Sequence, residues 1–354
     1  MEGSYDVLFL VHLHFYYFYI KDIIMVMVEN KKSSILMILK ILEEYTDEDH
    51  YLTQQEIIDK VDSLYGVQLE RKSVAFSIYL LTEMGYDIKK QPKGGFALLS
   101  RLFEPEETKY IVDALFSSKA ISSKHANMLA DKVISVQSRY NRQDYRYINK
   151  SSQVNRTENK EVFYNLFVIR EAIKENKKIG FNYIDYDENG NEIYKRVGYE
   201  YIVSPYYLVN NYGQYYLLAN YKTEYKPFHI FKLNRITNIY VNEELDSVPL
   251  SSMLPNFDIA KYINEHIYLF SGEVVNAELQ LDDSNTIGYI YEYFGKNAEI
   301  YQQNGHIFAK VKCDENALFY FCMQYSEHLK VISPESVKQR IIGEAKHILE
   351  RYSE

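Results

Sequence analysis

At 354 residues, with 47% hydrophobic and 25% charged side chains, the chain has the composition of a globular protein too long for one core, and about two or three domains are expected. A formal net charge of -9 excludes a protein that coats nucleic acid through bulk positive charge, though not one with a local basic face. Two cysteines, Cys313 and Cys322, without the paired spacings of zinc or redox motifs, argue against a metal cluster or disulfide framework and for a reducing cytoplasm.

Residues 7–20 form an apolar run broken by His12 and His14. Glu2 and Asp6 precede it, the wrong flank for a signal peptide, and Lys21-Asp22 stops it short of the roughly 20 residues a membrane span needs. Segment 1–28 is read as an extra apolar piece from an upstream start codon, with Met25 or Met27 opening the recognisable pattern; a membrane anchor is the second reading. No membrane partner is expected.

Residues 33–45 carry apolar side chains at helical spacing. Thr53-Gln54-Gln55-Glu56 is a capping box opening a second helix to about Leu64, and Gly66-Val67 makes a turn. A third helix spans about 70–84 and stops at Gly85. Two short strands around Pro92-Lys93-Gly94-Gly95 follow. Three helices and a basic hairpin over 29–101 read as a winged helix-turn-helix. Candidate DNA contacts are Arg71, Lys72, Ser73 and Ser77 on the third helix and Lys89, Lys90 and Lys93 on the hairpin, in a stretch where Arg101 adds to the basic excess; a solvated basic face is the plainer alternative.

Residues 105–140 are helical in pattern and 142–160 polar without period, so 102–160 is read as a helical segment and linker. A helix over 161–175 leads into short strands at 178–185, 195–203, 206–209, 214–221, 228–233 and 238–241, a rhythm that suits a small closed barrel within 161–244. Asp185 to Gly190 mimics a calcium loop, but Arg196 occupies the twelfth position where a Glu is required, so it is read as a hairpin turn. From 245 to 354 the element order is βαββαβ with a closing helix, that of a ferredoxin-like fold. The fold class is therefore α+β and multidomain.

Strand alternation puts Leu208, Tyr215, Leu217, His229, Phe231 and Leu233 on one face, expected to be core, and Tyr207, Tyr216, Asn220, Ile230 and Lys232 on the other, expected to be open to a ligand. Arg235 offers a donor fork for a phosphate or carboxylate, with Lys232 and His229 near it in sequence. Six residues of extended strand span about 20 Å, so His229 and Arg235 share a pocket only if the chain bends near Asn234. A surface ion pair for Arg235, a satisfied core position for His229, and packing for Tyr207, Tyr215 and Tyr216 are the plainer readings. No P-loop, nucleophile elbow or His-Glu zinc motif occurs, so no cofactor, metal or catalytic residue is expected.

Ser204-Pro205-Tyr206-Tyr207-Leu208, Gly213-Gln214-Tyr215-Tyr216-Leu217 and His229-Ile230-Phe231-Lys232-Leu233-Asn234-Arg235-Ile236 together resemble the WYL domain of bacterial transcription regulators, Tyr215 standing where the name-giving Trp would be. Leu69 to Val74 and Leu81 to Ile88 resemble the reader module that precedes such domains, and Leu329 to Glu335 resembles a strand-to-helix junction of their C-terminal extension. The resemblance implies an SH3-like or Sm-like barrel with Arg235 lining an effector pocket, in a pattern where Asn234 replaces the usual Asp, and adds Ser204 and Arg196 as weaker contacts. It implies a cytoplasmic, ligand-responsive, DNA-binding transcription regulator with duplex DNA and a nucleotide or oligonucleotide effector as partners and a C-terminal domain that dimerises or transmits the signal; a homodimer is expected because paired winged helices on a twofold-symmetric site double the base readout. The alternative is an accessory protein that binds single-stranded nucleic acid without promoter specificity. An enzyme is not expected, His229 being the obvious general base only if a nucleotide were turned over.

Overall fold

The computed structural model describes residues 33–353, apart from 93, 144, 146–156, 158, 222–227 and 271. The apolar segment 1–28 and Lys93 therefore lie outside the described residues. The chain divides into two compact units, one reaching 117 and resuming over 123–155, the other taking 118–122 and the chain from 156.

In the first unit, α1 (Ser34–Tyr45), α2 (Gln54–Tyr65) and α3 (Arg71–Glu83) enclose a core of Ile38, Leu42, Ile57, Val61, Val74 and Leu81. The capping box forms: Glu56 N–H donates to Thr53 Oγ1 (3.3 Å) and Thr53 N–H to Glu56 Oε2 (2.7 Å), and Gly66 closes α2 in the left-handed region at φ +67°. The expected hairpin is β2 (Ile88–Lys90) and β3 (Gly95–Leu98). A two-residue strand that sequence patterning did not reveal, β1 (Leu52–Thr53), pairs with β3 and gives the order β1-β3-β2.

The helical stretch after this sheet is two helices, α4 (Pro105–Ser117) and α5 (Ser123–Ile134). Residues 135–140, expected to be helical, lie past the end of α5, and Arg142, at the start of the expected linker, is anchored with them. Ser138 Oγ donates to Asp47 Oδ2 (2.7 Å), Arg139 N–H to Glu44 O (2.9 Å), and Arg142 pairs with Glu44, so burial of the Asp47 carboxylate ties this stretch to the end of α1. Burial raises the Asp47 pKa, but hydrogen bonds from Ser138, His50 and the Asp49 N–H outweigh it and hold it below the usual carboxylate value.

In the second unit, α6 (Val162–Glu175) precedes β4 (Lys177–Tyr186), β5 (Glu192–Tyr194), β6 (Tyr201–Asn211), β7 (Gln214–Asn220), β8 (His229–Lys232) and β9 (Ile236–Asp246). Their sheet runs β5-β4-β6-β7-β8 with β9 paired to β4. The closed barrel expected from strand rhythm is an open, curled sheet, since among the described residues β8 pairs only with β7. The strands expected at 195–203 and 206–209 are not separate: 195–200 is outside any strand, and β6 runs continuously through Pro205. Proline supplies no ladder donor, and the register shifts at this point, between Pro205 and Tyr207. Gly180 faces Tyr240 across the β4–β9 ladder, where a Cβ would collide with the phenol ring.

Two short helices, α7 (Leu250–Met253) and α8 (Ile259–Glu265), follow. Beyond them come β10 (Val274–Leu281), α9 (Thr286–Phe294), β11 (Glu299–Gln303), β12 (His306–Asp314), α10 (Glu315–Gln324), β13 (Leu329–Ser333) and α11 (Glu335–Tyr352), in the element order expected. All pairs are antiparallel, the strand order is β11-β12-β10-β13, and Leu279, Ile290, Leu318 and Phe321 form the core. No helix among the described residues is long and apolar enough to cross a membrane.

Candidate functional site

Strand register bears out the grouping of side chains by face. Leu217 stands opposite Leu208 and Phe231, while Leu218 stands opposite Tyr207 and Ile230. The face expected to be core is buried at Leu217, Phe231 and Leu233, and of the face expected to be open Tyr216, Ile230 and Lys232 line a cleft, but that face is also in part covered. The face with Tyr207, Tyr216 and Ile230 is overlain by Leu250, Leu254, Phe257, Tyr262, Ile263 and Leu269, forming a core with Val209, Leu218 and Phe228. Tyr207 packs on Phe257 with ring centroids 5.7 Å apart, and burial raises the Tyr216 phenol pKa. Nothing in strand alternation could disclose this cover, because it is supplied by residues some forty positions later in the chain.

The other face lines the inside of the curl. Phe231 sits 5.2 Å from Phe181, 5.6 Å from Tyr183 and 5.6 Å from Tyr201, all edge-on, and Phe181 stacks on Tyr201 at 5.5 Å. Tyr221 joins them, 5.3 Å from Tyr201 and 5.4 Å from His229, with its hydroxyl bonded to that of Tyr199. These rings form one wall of a cleft of about 770 Å³ that runs along β8 and takes in Tyr183, Lys195, Tyr201, His229, Phe231, Lys232 and Arg235, with Tyr216 and Tyr268 to Phe270 on the far side.

The bend the sequence required is present. Leu233–Arg235 is a single 3-10 turn, so His229 and Arg235 line the same cleft although they stand six positions apart. The partner that Asn234 cannot supply comes from another strand: Arg235 Nη1 lies 3.1 Å from Asp185 Oδ1 on β4, with its guanidinium 5.9 Å from the Tyr186 ring. Lys195 Nζ lies 5.8 Å from the Tyr183 ring. The Tyr183 hydroxyl accepts from Lys232 N–H (3.0 Å); burial raises the Tyr183 pKa, and that bond and Arg235 oppose the rise. Three cations thus line the cleft with Tyr183, Tyr201 and Phe231, with Asp185 the counter-charge already paired to Arg235.

Of the residues expected here, Arg235, Lys232, His229 and Tyr216 line the cleft. Arg196 stands over the Tyr199 and Tyr201 rings at 5.2 and 6.0 Å, beside that wall. Ser204 is instead a buried structural pin whose Oγ accepts from Val248 N–H (3.0 Å), Tyr207 belongs to the covered face, and Tyr215 pairs with Asn210 near the end of the β6–β7 hairpin. Tyr183, Lys195, Tyr201 and Asp185 were missed. Their signal was available in part, since Tyr183 and Asp185 alternate along β4. The Asp185 to Gly190 stretch is the hairpin turn expected, Asp187 accepting from Asn189 N–H (2.9 Å) and Asn191 N–H (2.7 Å).

In the first unit, Arg71, Lys72 and Ser73 are exposed at the start of α3, Arg71 reaching Gln55 Oε1 at 3.3 Å, and Lys89 and Lys90 are exposed on β2. Ser77 is buried, because helical phase puts it with Val74, Ile78 and Leu81 on the core side of α3; it cannot touch DNA there. Arg101 is also withdrawn, donating to the carbonyls of Glu43 (2.7 Å) and Thr46, and burial lowers its pKa. The exposed side of α3 carries Phe76 and Tyr79, 60% and 58% exposed.

The WYL domain family model matches residues 164–241, the stretch from α6 into β9 that builds this cleft. None of the curated proteins matches. Among solved structures, the chain is similar to proteasome accessory factor B/C (PafBC) of Arthrobacter aurescens, at 15% identity over 91% of this chain and 49% of that one, TM-score 0.29. It is also similar to a CRISPR Cas-related protein, at 13% identity over 91% of this chain and 84% of that one, TM-score 0.39. The chain spans about half the length of the PafBC chain. With its cleft, its 3-10 turn at Arg235 and the family match falling on the same strands, this chain carries a WYL domain.

Proposed function

We propose that the chain is a ligand-responsive, DNA-binding transcription regulator whose WYL domain senses a nucleotide or short single-stranded nucleic acid. One observation carries the effector reading: Lys195, Lys232 and Arg235 line one cleft with Tyr183, Tyr201 and Phe231. Bases stack on such rings at about 1–3 kcal/mol each, and cations beside them take the phosphates. Helices α1 to α3 with the β1-β3-β2 sheet support a winged helix-turn-helix over 29–101, and the β11-β12-β10-β13 order supports a ferredoxin-like fold for 245–354. The curled sheet within 161–244 supports an SH3-like or Sm-like effector module, and the protein acts in the cytoplasm as a homodimer, without catalysis. An effector works by binding one arrangement of the domains better than another.

The test uses the full chain with a fluorescein-labelled single-stranded oligonucleotide and with duplex fragments from its own upstream DNA. Arg235→Ala is expected to weaken oligonucleotide binding about tenfold, the loss of one charge-assisted fork. Lys89→Ala with Lys90→Ala is expected to weaken duplex binding and flatten its salt dependence, each lost phosphate contact reducing the slope by about 1. Oligonucleotide binding that ignores Arg235→Ala removes the effector reading. Duplex binding that ignores the lysine pair, together with intact single-strand binding, replaces the regulator with an accessory single-strand binder.

A further inference from the structure

The C-terminal helix α11 differs along its length. Val337 is its one buried residue, and Ile341 is its last apolar side chain packed on the β10–β13 core. Past that point Ile342, Ile348, Leu349 and Tyr352 are 40%, 37%, 67% and 87% exposed, and Ala345 is exposed with them. A stretch of about ten helical residues without packing is marginal in water, where isolated helices need about 12–15 residues even with favourable sequences.

The exposed side chains follow a rule. Ile341, Ala345, Ile348 and Tyr352 recur at intervals of 4, 3 and 4, the seam spacing of a two-helix coiled coil. Ile342 and Leu349 run along one edge of that seam, and Glu344 and Arg351 along the other.

We propose that the last three turns of α11 pair antiparallel with the same turns of a second copy, about a twofold axis passing between Lys346 and His347. A twofold interface sets residue i against j and j against i. On this axis Ile341 meets the partner's Tyr352, and Ala345 meets the partner's Ile348. The apolar edge closes as Ile342 on the partner's Leu349, and the charged edge as Glu344 on the partner's Arg351. The sequence is self-complementary in this direction alone: parallel pairing sets Glu344 beside the partner's Leu349 and leaves both charges without an opposite. Small Ala345 lets the helices approach at the centre. The seam deepens the homodimer part of the function above and is independent of DNA or effector binding, so a chain that pairs here and binds no DNA keeps this seam and loses that function.

So short a seam belongs to the small end of protein interfaces, and its strength is read from mass against concentration. Sedimentation equilibrium of the full chain is expected to show a monomer–dimer equilibrium. Leu349→Asp, at a surface position that leaves the helical circular dichroism unchanged, is expected to return the mass to monomer. Glu344→Arg and Arg351→Glu each turn two attractive contacts repulsive and are expected to weaken the dimer about tenfold. The double variant restores opposite charges and is expected to recover the parent constant to within about threefold. A monomer at every concentration overturns the proposal. So does a dimer that ignores Leu349→Asp, including one that disappears only when residues 1–24 are removed, and failure of the double variant to recover overturns the antiparallel geometry.

Discussion

The two faces of the β6–β7–β8 sheet carry the same kinds of side chain and come to different ends. On one, Tyr207, Tyr216 and Ile230 lie under α7, α8 and Leu269, and the face becomes a second core. On the other, Phe231 packs with Tyr183 and Tyr201 inside the curl, all buried, and the cleft with its three cations takes side chains from both faces, Tyr216, Ile230 and Lys232 from the first and His229 and Phe231 from the second. The residues nearest the signature triplet divide accordingly: Leu217 and Leu218 are both fully buried, one under each face. Aromatic content therefore does not mark a binding surface in this chain. What marks it is where cations stand beside the rings.

The largest expected effect tests the covered face. Leu218→Ala empties a fully buried site and is expected to cost about 2–5 kcal/mol, read as a lower denaturant midpoint with unchanged slope, while oligonucleotide affinity stays within about twofold of the parent. Should affinity fall in step with stability, the two faces are one energetic unit and the contrast fails.

A smaller effect concerns how the cover is held at its far end. Tyr262 stacks on His266 (3.9 Å) and is pushed up to about 12 by burial and by Asp314, while Lys312 pairs with Glu265 at 2.8 Å. Asp314 is fully buried, its Oδ1 accepts from Ala317 N–H (3.0 Å), and among the described residues its Oδ2 has no partner. Burial raises its pKa, opposed by the Ala317 N–H and His266. A carboxyl whose folded pKa exceeds its unfolded value favours folding in the protonated form, so its cost appears as pH rises from the unfolded value, about 3.9, through the folded one. Asp314→Asn keeps the helix cap. The variant is expected to exceed the parent in thermal midpoint at pH 7, with the gap closing below about pH 4; a gap constant across pH rejects this account.

The smallest effect sharpens the cleft. Asp185→Asn removes a half-exposed ion pair worth about 0–1 kcal/mol and is expected to leave stability almost unchanged. It frees the Arg235 fork, so oligonucleotide binding is expected to tighten about fivefold in a fluorescence titration, close to 1 kcal/mol. Weaker binding would mean that Asp185 orients Arg235 for the ligand instead of competing with it.

Local chemistry determined much of this protein before any fold was known. The Thr53 to Glu56 capping box, the Gly66 stop, strand β10 and helix α9 are readable from caps, turn residues and periodicity, because each depends on neighbours within a few residues. Strand alternation even grouped the side chains of β7 and β8 correctly. Only the tertiary structure decided the rest, for contacts between distant segments leave no periodic trace. It added β1 to the edge of β3, ran β6 through Pro205, turned Ser77 and Arg101 away from solvent, and brought Asp185 to Arg235 in place of the missing neighbour at Asn234. It also laid residues 250–269 over part of one sheet face and lined a single cleft from both faces, a choice made by chain path and packing that no window of sequence around Tyr215-Tyr216-Leu217 contains.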